Sequence, residues 1–378
     1  MIEYVEIRAT NREVTGIIDT AKSIIWHSVW FGVGDFEIYA KATAEHLQLL
    51  NVGYYVTRND NDEIGIIEGI EITTSVTDGA MITATGRFAK SILDRRLIYR
   101  TSGTTKLSNK ATTLSGNVES AARALVVNNA IDCTFDTKRN FAMLELGANA
   151  GITAVIVDEN GNKARKQVSY KNLLEYTDGL LEEYGLSAKI ILDEDTKKLQ
   201  YIVKQGVDRS ADNAAGLDPV IFSGDYDNLS DSQYAFDSAS KKNVALIGGE
   251  GEGINRFFAL LAPAALTGLD RREIFVDASS LSKAYTDDSE QEQTYTDEVY
   301  AEMLVTQGKQ TLAPLTDAET FTGTILVTAG NYIINTDFAL GDIVTVQENS
   351  IDKFINVRIT EITEVQDESG YTVDAVYM

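Results

Sequence analysis

The sequence contains few of the side chains on which metal and nucleophile chemistry depends. Cys133 is the only cysteine, so no intrachain disulfide can form and folding in a reducing compartment is expected. The two histidines, His27 and His46, lie in neither an HExxH nor a GxSxG context, so a histidine zinc site or a Ser-His-Asp triad has no sequence signature. We predict a buried structural thiol at Cys133, a packed surface histidine at His27 and a solvent-facing histidine at His46.

Long apolar segments are also missing. The longest, residues 257–266, has about half the length that a membrane-spanning helix needs. The chain begins MIEYVEIRAT, which has no basic region followed by an apolar one, so we expect no secretory signal. These features predict synthesis in the cytoplasm and no membrane crossing by a helix.

Basic residues are scarce relative to acidic ones. The 33 Lys and Arg against 57 Asp and Glu give a formal net charge of −24. A surface of this charge repels nucleic-acid backbones and anionic membranes, which excludes a general affinity for either. Two interpretations stay open. The charge keeps the protein soluble and free of random association, or it lines a passage through which a polyanion moves without sticking.

Short strand-like runs dominate both ends of the chain. Residues 1–100 combine alternating apolar positions with polar turns, including a hairpin that turns at Gly32 and Gly34, which is typical of a barrel or sandwich. Residues 101–117 are rich in Ser, Thr, Gly, Asn and Lys and indicate a loop and a domain boundary. The residues from 320 onward are again all β.

The middle of the chain is mixed. Residues 118–131 and 173–184 have apolar residues at helical spacing, and Gly185 ends the second helix. Residues 188–205 form a hairpin that turns at 193–198, and a further helix is predicted over 295–312. The fold class that follows is a multidomain α+β protein that is mostly β.

A run of alternating glycines, IGGEGEG at residues 247–253, follows a strand-like segment as it would in a nucleotide-binding protein. It is not GxGxxG, it lacks the Lys-Ser/Thr of a P-loop, and Glu250 and Glu252 would face the phosphates. The segment after it has the character of a strand rather than a helix. We therefore predict a hairpin tip between strands at 244–247 and 255–261, and no cofactor.

Acidic residues form no recognisable metal or catalytic site. The oxygen-rich segment at 225–231 lacks the Gly and the Glu of an EF-hand loop, and Asx turns explain it equally well. Carboxylate pairs such as Glu182-Glu183 lie in exposed-looking segments rather than in apolar surroundings that would raise a pKa. No metal, cofactor or enzymatic reaction is predicted from the residues.

A local excess of arginine interrupts the acidic background. Arg87, Arg95 and Arg96 belong to a predicted short amphipathic helix, GRFAKSILDRRLIYR, and Arg271-Arg272 form a second group. These side chains can pair with the acidic surface of a neighbouring element or subunit, or they can form an anion site. Since no Gly-rich phosphate loop precedes the first group, we favour pairing and predict all five as candidate subunit-interface residues.

Five ordered segments carry a likeness to a known family. They are WFGVGDFEIYA, IEGIEITTSVTDGAMITATGRFAKSILDRRLI, VIFSGDYDNLSDSQYAFDSASKKNVALIGGEGEG, GLDRREIFVDAS, and LGDIVTVQ with the strands that follow it. Together they resemble the hub proteins of long non-contractile bacteriophage tails, which are related in fold to the central hub of contractile-tail baseplates. The segments cover most of the chain in the same order.

The resemblance implies two hub-type β-barrel domains with one or more inserted α+β lateral domains, arranged as a pseudo-hexameric ring in a homotrimer. It implies a first barrel at residues 1–108 and a lateral domain at 109–205. A β-rich connector at 206–313, with a helix near 295–312, is shared between the lateral and second barrel regions. The closing strands of the second barrel follow at 314–378.

The resemblance also implies a structural role in the virion tail after synthesis in the host bacterial cytoplasm. The trimer is expected to join the six-fold tail tube to the tip around the DNA exit channel, with DNA in transit only. Implied partners are a distal tail protein ring or tail tube protein, the tape measure protein, and tip or receptor-binding proteins. A receptor- or carbohydrate-binding tail protein and a cell-wall-degrading tail enzyme are the alternatives, and we expect no enzymatic activity.

Overall fold

β-Strands outnumber helices in the computed structural model, which describes residues 1–99, 101–102, 106–107, 112–134, 136–157, 163–286, 291–326 and 332–378. The chain divides into two units. The first unit comprises Met1–Asp158, Lys163–Gln233 and Phe321–Met378, and the second unit centres on Tyr234–Thr320. The second unit is therefore an insertion in the sequence of the first.

The N-terminal strands pair with antiparallel neighbours. The elements are β1 (Val5–Arg8), β2 (Val14–Ile18), β3 (Ser23–Val29), β4 (Asp35–Lys41), α1 (Ala44–Leu49), β5 (Tyr55–Arg58), β6 (Asn61–Ser75) and β7 (Gly79–Phe88). Every second residue of β3 and β4 is buried, because one face of this hairpin packs on the core. Gly32, between the two strands, has φ +85°, and the predicted hairpin is confirmed.

The central part combines helices and strands. The elements are a 3₁₀ helix (Ala89–Arg95), β8 (Thr101–Ser102), β9 (Lys106–Leu107), β10 (Thr112–Ser115), α2 (Val118–Val126) with a π-helical extension (Val127–Ile131), a 3₁₀ helix (Thr137–Arg139), β11 (Leu144–Leu146), β12 (Arg165–Val168), α3 (Leu173–Glu182), β13 (Leu186–Leu192) and β14 (Leu199–Gln205). Asn117 and Asn172 cap α2 and α3, and Gly185 follows α3 with φ +66°. Both predicted helices and the β13–β14 hairpin are confirmed.

Strands and one long helix follow. They are β15 (Ile221–Ser223), β16 (Leu229–Asp237), β17 (Val244–Gly248), β18 (Phe258–Leu261), β19 (Glu273–Asp277), β20 (Ala284–Thr286), β21 (Glu292–Thr294) and α4 (Asp297–Leu312). Thr296 caps α4, which confirms the helix predicted at 295–312. β17 pairs antiparallel with β18 and parallel with β19, so the glycine run lies in the connection of a hairpin, as predicted.

The C-terminal strands pair with the N-terminal ones. They are β22 (Ala318–Ile325), β23 (Ile343–Glu348), β24 (Lys353–Asp367) and β25 (Gly370–Tyr377). β24 forms a ladder with β3 that runs from Glu361 opposite Val29 to Asp367 opposite Ser23. The main path of the sheet is β11-β14-β13-β6-β7-β4-β3-β24-β25-β22-β16. Among the described strands this path is open, and the division into two barrels stays a prediction.

Two of the apolar cores of the first unit are built from its N-terminal and central elements. One lies beneath the N-terminal strands, where the Trp26 ring contacts Phe36 and Phe88 at centroid distances of 5.8 and 4.8 Å. The other is enclosed by α2, α3 and the β13–β14 hairpin, with Leu181 and Tyr201 fully buried. The helical stripes predicted from the sequence therefore face this second core.

A buried arginine connects the two ends of the chain. Arg58 on β5 donates two hydrogen bonds of 2.9 Å to Glu364 on β24 and two of 2.8 Å to Asp60. Tyr371 donates a further bond of 2.6 Å to Glu364, and the guanidinium lies 5.4 Å from the Trp26 ring centroid. The side chains of Arg58 and Glu364 are only 1% and 7% exposed. Burial opposes the charge of Arg58, but the carboxylates of Asp60 and Glu364 outweigh it and raise its pKa.

His46 differs from its prediction. Its ring is buried, with Nδ1 2.7 Å from the carbonyl oxygen of Lys41 and Nε2 3.4 Å from the hydroxyl of Thr20. The solvent-facing prediction is wrong because the imidazole reaches back to the main chain of β4 instead of following the exposed face of α1. The other two predictions are confirmed, since His27 is half-buried on β3 and Cys133 is buried.

We expect Glu364→Ala to lower the free energy of unfolding by about 2–3 kcal/mol, because it removes two charge-assisted hydrogen bonds of the buried Arg58, whose carboxylate partner Asp60 remains. The double variant Arg58→Met/Glu364→Leu removes both charges and should cost much less. The control Tyr371→Phe deletes one hydrogen bond and should cost about 1 kcal/mol. Urea unfolding followed by circular dichroism measures all three. A double variant as unstable as Glu364→Ala would contradict this account of the pair.

Candidate functional site: a cationic cleft

The structure separates the five predicted interface arginines into two groups. Arg87 lies on β7, and Arg95 and Arg96 lie at the end of the 3₁₀ helix that follows it. Arg271 and Arg272 belong to the second unit and directly precede β19. The amphipathic helix predicted around the first group is a 3₁₀ helix, because β7 continues to its edge and leaves only one short helical segment.

Arg87 and Arg95 share one carboxylate. Arg87 donates to Glu68 from Nε at 2.8 Å and from Nη2 at 3.1 Å, and Arg95 donates to it from Nη2 at 3.5 Å. The register of β6 and β7 shifts next to Glu68, so this side chain lies at a bulge beside Arg87. The hydrogen bond from Arg87, together with the charges of both arginines, lowers the pKa of Glu68. Arg87 and Arg95 therefore pair with an acid of a neighbouring element, which is one of the two interpretations given above for this arginine group.

Arg271 and Arg272 hold turns of the second unit. Arg271 Nε donates to a Glu273 oxygen at 2.6 Å. The Arg272 guanidinium donates to the carbonyl and, at 3.3 Å, to the hydroxyl of Ser238, and the Arg272 backbone N–H donates to Asn243 Oδ1 at 2.8 Å. Both residues are engaged within their own unit, and their role at a subunit interface stays a prediction.

Arg96 and Arg139 form the centre of a cleft in the first unit. The guanidinium carbon of Arg96 lies 3.9 Å from the Phe141 ring centroid, and that of Arg139 lies 3.8 Å from the Tyr99 ring centroid. Arg96 Nε donates to the Arg139 carbonyl at 2.7 Å, and Arg139 Nη2 donates to the Leu97 carbonyl at 2.5 Å. Stacking and reciprocal hydrogen bonds fix both guanidinium groups.

The cleft is cationic. It has a volume of about 290 Å³ and is lined by Arg95, Arg96, Leu97, Tyr99, Asp136, Lys138 and Arg139. We call this set the cationic cleft. Its one acid, Asp136, accepts a hydrogen bond of 3.1 Å from the Lys138 backbone N–H and caps the 3₁₀ helix Thr137–Arg139. With four basic side chains and one acid this surface is positively charged, whereas the chain as a whole has a net charge of −24.

The positive charge of the cleft is only weakly compensated. Burial lowers the pKa of Arg96, and the neighbouring charges of Arg139 and Arg95 lower it further. Within the described residues, Arg96 and Arg139 donate to carbonyl oxygens and to the Cys133 sulfur rather than to a carboxylate. The site can therefore attract an anion from outside.

Sequence reasoning found Arg95 and Arg96 but missed Lys138 and Arg139. The Arg96–Arg139 hydrogen bond spans 43 residues, and the segment around Arg139 has the pattern of an extended loop. The one available signal is local, since a Lys-Arg pair is followed within two residues by Phe141, an aromatic ring on which a guanidinium can stack.

The glycine run serves packing within the second unit. The Glu250 backbone N–H donates to the Tyr300 hydroxyl at 2.8 Å, and a Cβ at Gly249 would lie 2.7 Å from that oxygen. The Glu250 carboxylate accepts a bond of 2.7 Å from the Lys283 backbone N–H. The glycines thus allow α4 to approach the end of β17, and the glutamate is engaged with its own chain.

A second candidate surface is the outer face of the sheet formed by β17, β18 and β19. α4 covers the other face. On the outer face Leu246 lies between Leu260 and Phe275 in the two ladders, and these side chains are 42%, 56% and 51% exposed. The Arg256 guanidinium lies 5.4 Å from the Phe275 ring and 5.8 Å from the Phe258 ring. Such a contiguous apolar surface marks an interaction site.

The described parts of the chain show neither a metal-binding cluster nor a helix that could span a membrane. No group of three or more His, Cys, Asp or Glu side chains there is arranged to hold a metal ion. None of the helices described is both long and apolar enough to cross a membrane.

The model of the family described as Siphovirus ReqiPepy6 Gp37-like protein matches residues 4–377. The chain belongs to this family. The match spans both units, and it confirms the resemblance to siphophage tail proteins inferred from the sequence.

Solved structures share the fold of this Gp37-like chain. The tail protein from Neisseria meningitidis MC58 has a TM-score of 0.58 and 12% identity, and the match covers 99% of this chain and 95% of that chain. The 43 kDa tail protein of prophage MuSo2 from Shewanella oneidensis has a TM-score of 0.57 and 10% identity, with coverage of 100% and 98%. The comparison with curated proteins gave no match. These likenesses show a fold that the chain shares with phage tail proteins.

We expect Glu68→Gln to lower the free energy of unfolding by about 0.5–1 kcal/mol at pH 7, since solvent screens the half-exposed arginines that it pairs with. The pKa of Glu68 is lowered in the folded state, so its contribution is fully present above the usual value of 4.5 and is lost as the pH falls through the lowered pKa. Urea unfolding at pH 7 and pH 3 measures this difference. The control Glu71→Gln, at an exposed position of the same strand, should have no effect at either pH. A Glu68→Gln effect of equal size at both pH values would refute the pairing.

Proposed function

We propose that this Gp37-like chain is the structural hub protein of a siphophage tail. In this proposal three copies form a ring that joins the six-fold tail tube to the tip and surrounds the DNA exit channel. The observation that carries the proposal is the ladder between β3 and β24, because it lays the N-terminal and C-terminal strands side by side in one sheet. Three chains with two strand sets each offer six near-equivalent positions to a six-fold partner.

The proposal extends to the domains. Each strand set belongs to a hub-type β-barrel domain, the first at residues 1–108 and the second closing with 314–378. The lateral α+β domain occupies 109–205, and the connector with its helix occupies 206–313. Support comes from the antiparallel pairing of β1–β7 at one end of the chain and of β23–β25 at the other.

The proposed partners are two further copies, a distal tail protein ring or tail tube protein, the tape measure protein, and tip or receptor-binding proteins. DNA only passes through. The net charge of −24 supports this arrangement, because an acidic wall repels the phosphate backbone and lets DNA move without adhering. We propose that the role is structural rather than enzymatic, and that Arg87, Arg95, Arg96, Arg271 and Arg272 contribute to contacts between subunits.

A second candidate function is a receptor- or carbohydrate-binding tail protein. The outer face of the second-unit sheet favours it, because Phe258, Phe275 and two leucines are exposed together there. Glycan binding by the isolated chain tests this candidate, and Phe275→Ser should abolish it. Binding that is unchanged in this variant would exclude the face as the receptor site.

Light scattering on the purified full chain is expected to give three times the mass of one 41.4 kDa chain. If neighbouring proteins are needed for assembly, quantitative mass spectrometry of virions should give three copies per tail. Arg95→Glu should weaken the trimer through charge repulsion, whereas Lys41→Glu, which reverses an exposed charge on β4, should not. A dimer in virions would overturn the proposal.

A further inference from the structure

We infer that the cationic cleft binds the carboxylates of an acidic polypeptide segment supplied by a second copy of this chain. The cleft is preorganised, because aromatic rings and carbonyl oxygens hold the guanidinium groups of Arg96 and Arg139. Guanidinium groups bind carboxylates through two parallel hydrogen bonds, and fixed ones lose little side-chain freedom when they do so.

Several donors in the cleft are available to a ligand. Arg96 donates from Nε and Nη1 to two carbonyls, at 2.7 and 2.9 Å, and its Nη2 makes no hydrogen bond to a described residue. Arg139 Nη1 lies 3.6 Å from the Cys133 sulfur, and a thiol sulfur is only a weak acceptor. Lys138 is exposed beside them. An anion can therefore be bound without breaking an ion pair of Arg96 or Arg139.

The size of the cleft favours several anionic groups over one ion. Its volume of about 290 Å³ approaches the lower bound for small-ligand sites and far exceeds the space of one water molecule. Four basic side chains line this volume, so there are enough cationic groups to bind two or more carboxylates of a segment together.

Phosphate and nucleic acid fit the cleft less well. One common kind of phosphate site uses a glycine-rich loop or the N-terminus of a longer helix, and neither is present here, because the helical turn Thr137–Arg139 has three residues and is capped by an acid. Arginine clusters also bind phosphate, and the phosphate competition described below distinguishes the two anions. A long polyanion is repelled by the net charge of −24. A short segment feels chiefly the charges within a Debye length of about 8 Å, which at the cleft are positive.

A second copy of the chain has the required chemistry, since each copy carries 57 Asp and Glu. A cationic cleft on one copy and an acidic surface on the next are complementary, and this complementarity aligns the two copies. The inference rests on the proposed function only in requiring that copies of the chain associate, and it does not require that their number be three.

The test measures the fluorescence anisotropy of labelled hexaglutamate titrated with the full chain. The wild type is expected to bind it, with an affinity that falls as salt rises. Arg96→Gln and Arg139→Gln should each weaken binding about tenfold, because each removes charge-assisted hydrogen bonds. Arg271→Gln, in the second unit, is the matched control and should leave the affinity unchanged. Equal affinities for all four proteins would overturn the inference.

Lys138→Glu tests the same cleft without altering a stacked guanidinium. Its side chain is exposed, so the fold is preserved, and the reversed charge should weaken hexaglutamate binding several-fold. Wild-type affinity in this variant would count against the cleft even if the arginine variants misfold. Inorganic phosphate is added as a competitor in a parallel titration. If phosphate displaces hexaglutamate at an equal concentration of anionic groups, the assignment to carboxylates is wrong.

Self-association identifies the source of the carboxylates. Saturating hexaglutamate should weaken self-association of the wild type, and the substitution Lys138→Glu should do the same. Each should therefore raise the protein concentration below which the copies dissociate, as measured by light scattering. An unchanged dissociation concentration despite peptide binding would overturn the assignment to a second copy. If the chain forms a dimer and hexaglutamate dissociates it, the proposed trimer is contradicted but the role of the cationic cleft in self-association is supported. The two proposals therefore fail on different results.

Discussion

β24 forms hydrogen-bonded ladders on both sides, with β25 along one edge and with β3 along the other. This central strand holds the first unit together, because the residues that it joins are more than 330 positions apart in the sequence. The Arg58–Glu364 pair lies beneath the same junction and ties β5 to β24 through a charge that water cannot reach. Since a buried arginine that loses one of its carboxylate partners is costly, the pair favours the register in which β24 faces β3.

A few of the scarce basic residues are buried. Arg8, Arg58 and Lys90 are buried and pair with acids, among them the 3.1 Å contact between Lys90 and Asp178. Acids are buried as well, among them Glu63, Glu119 and Glu364, so the described surface keeps the acidic character of the whole chain. Against such a surface the four basic side chains of the cationic cleft form a marked local reversal. Its field is short in range, which suits recognition of a neighbouring copy better than capture of a distant polyanion.

Local patterns predicted the parts of the fold that local forces determine. The stripe of α3 with Gly185, the helix α4, and the hairpins β3–β4 and β13–β14 each carry a periodicity or a turn signal within about twenty residues. Sequence reasoning did not find the Arg58–Glu364 pair or the contribution of Arg139 to the cleft, because these contacts join segments far apart and no periodicity encodes them. His46 was misplaced for the same reason, since a polar ring on a short helix can face solvent or the preceding strand, and only the packed structure decides between them.

The second unit enters and leaves the first through β16 and β22, which are neighbouring strands of one sheet. Gln233 is the last residue of the first unit before the insertion, and Phe321 is the first after it. Because departure and return occur on adjacent strands, a change in the length of the intervening chain shifts no ladder of the first unit. The part between these two strands, residues 238–317, can therefore be lengthened, shortened or exchanged at little cost to the ladders of the first unit. Among related proteins, this segment should diverge in sequence faster than the strands on either side of it.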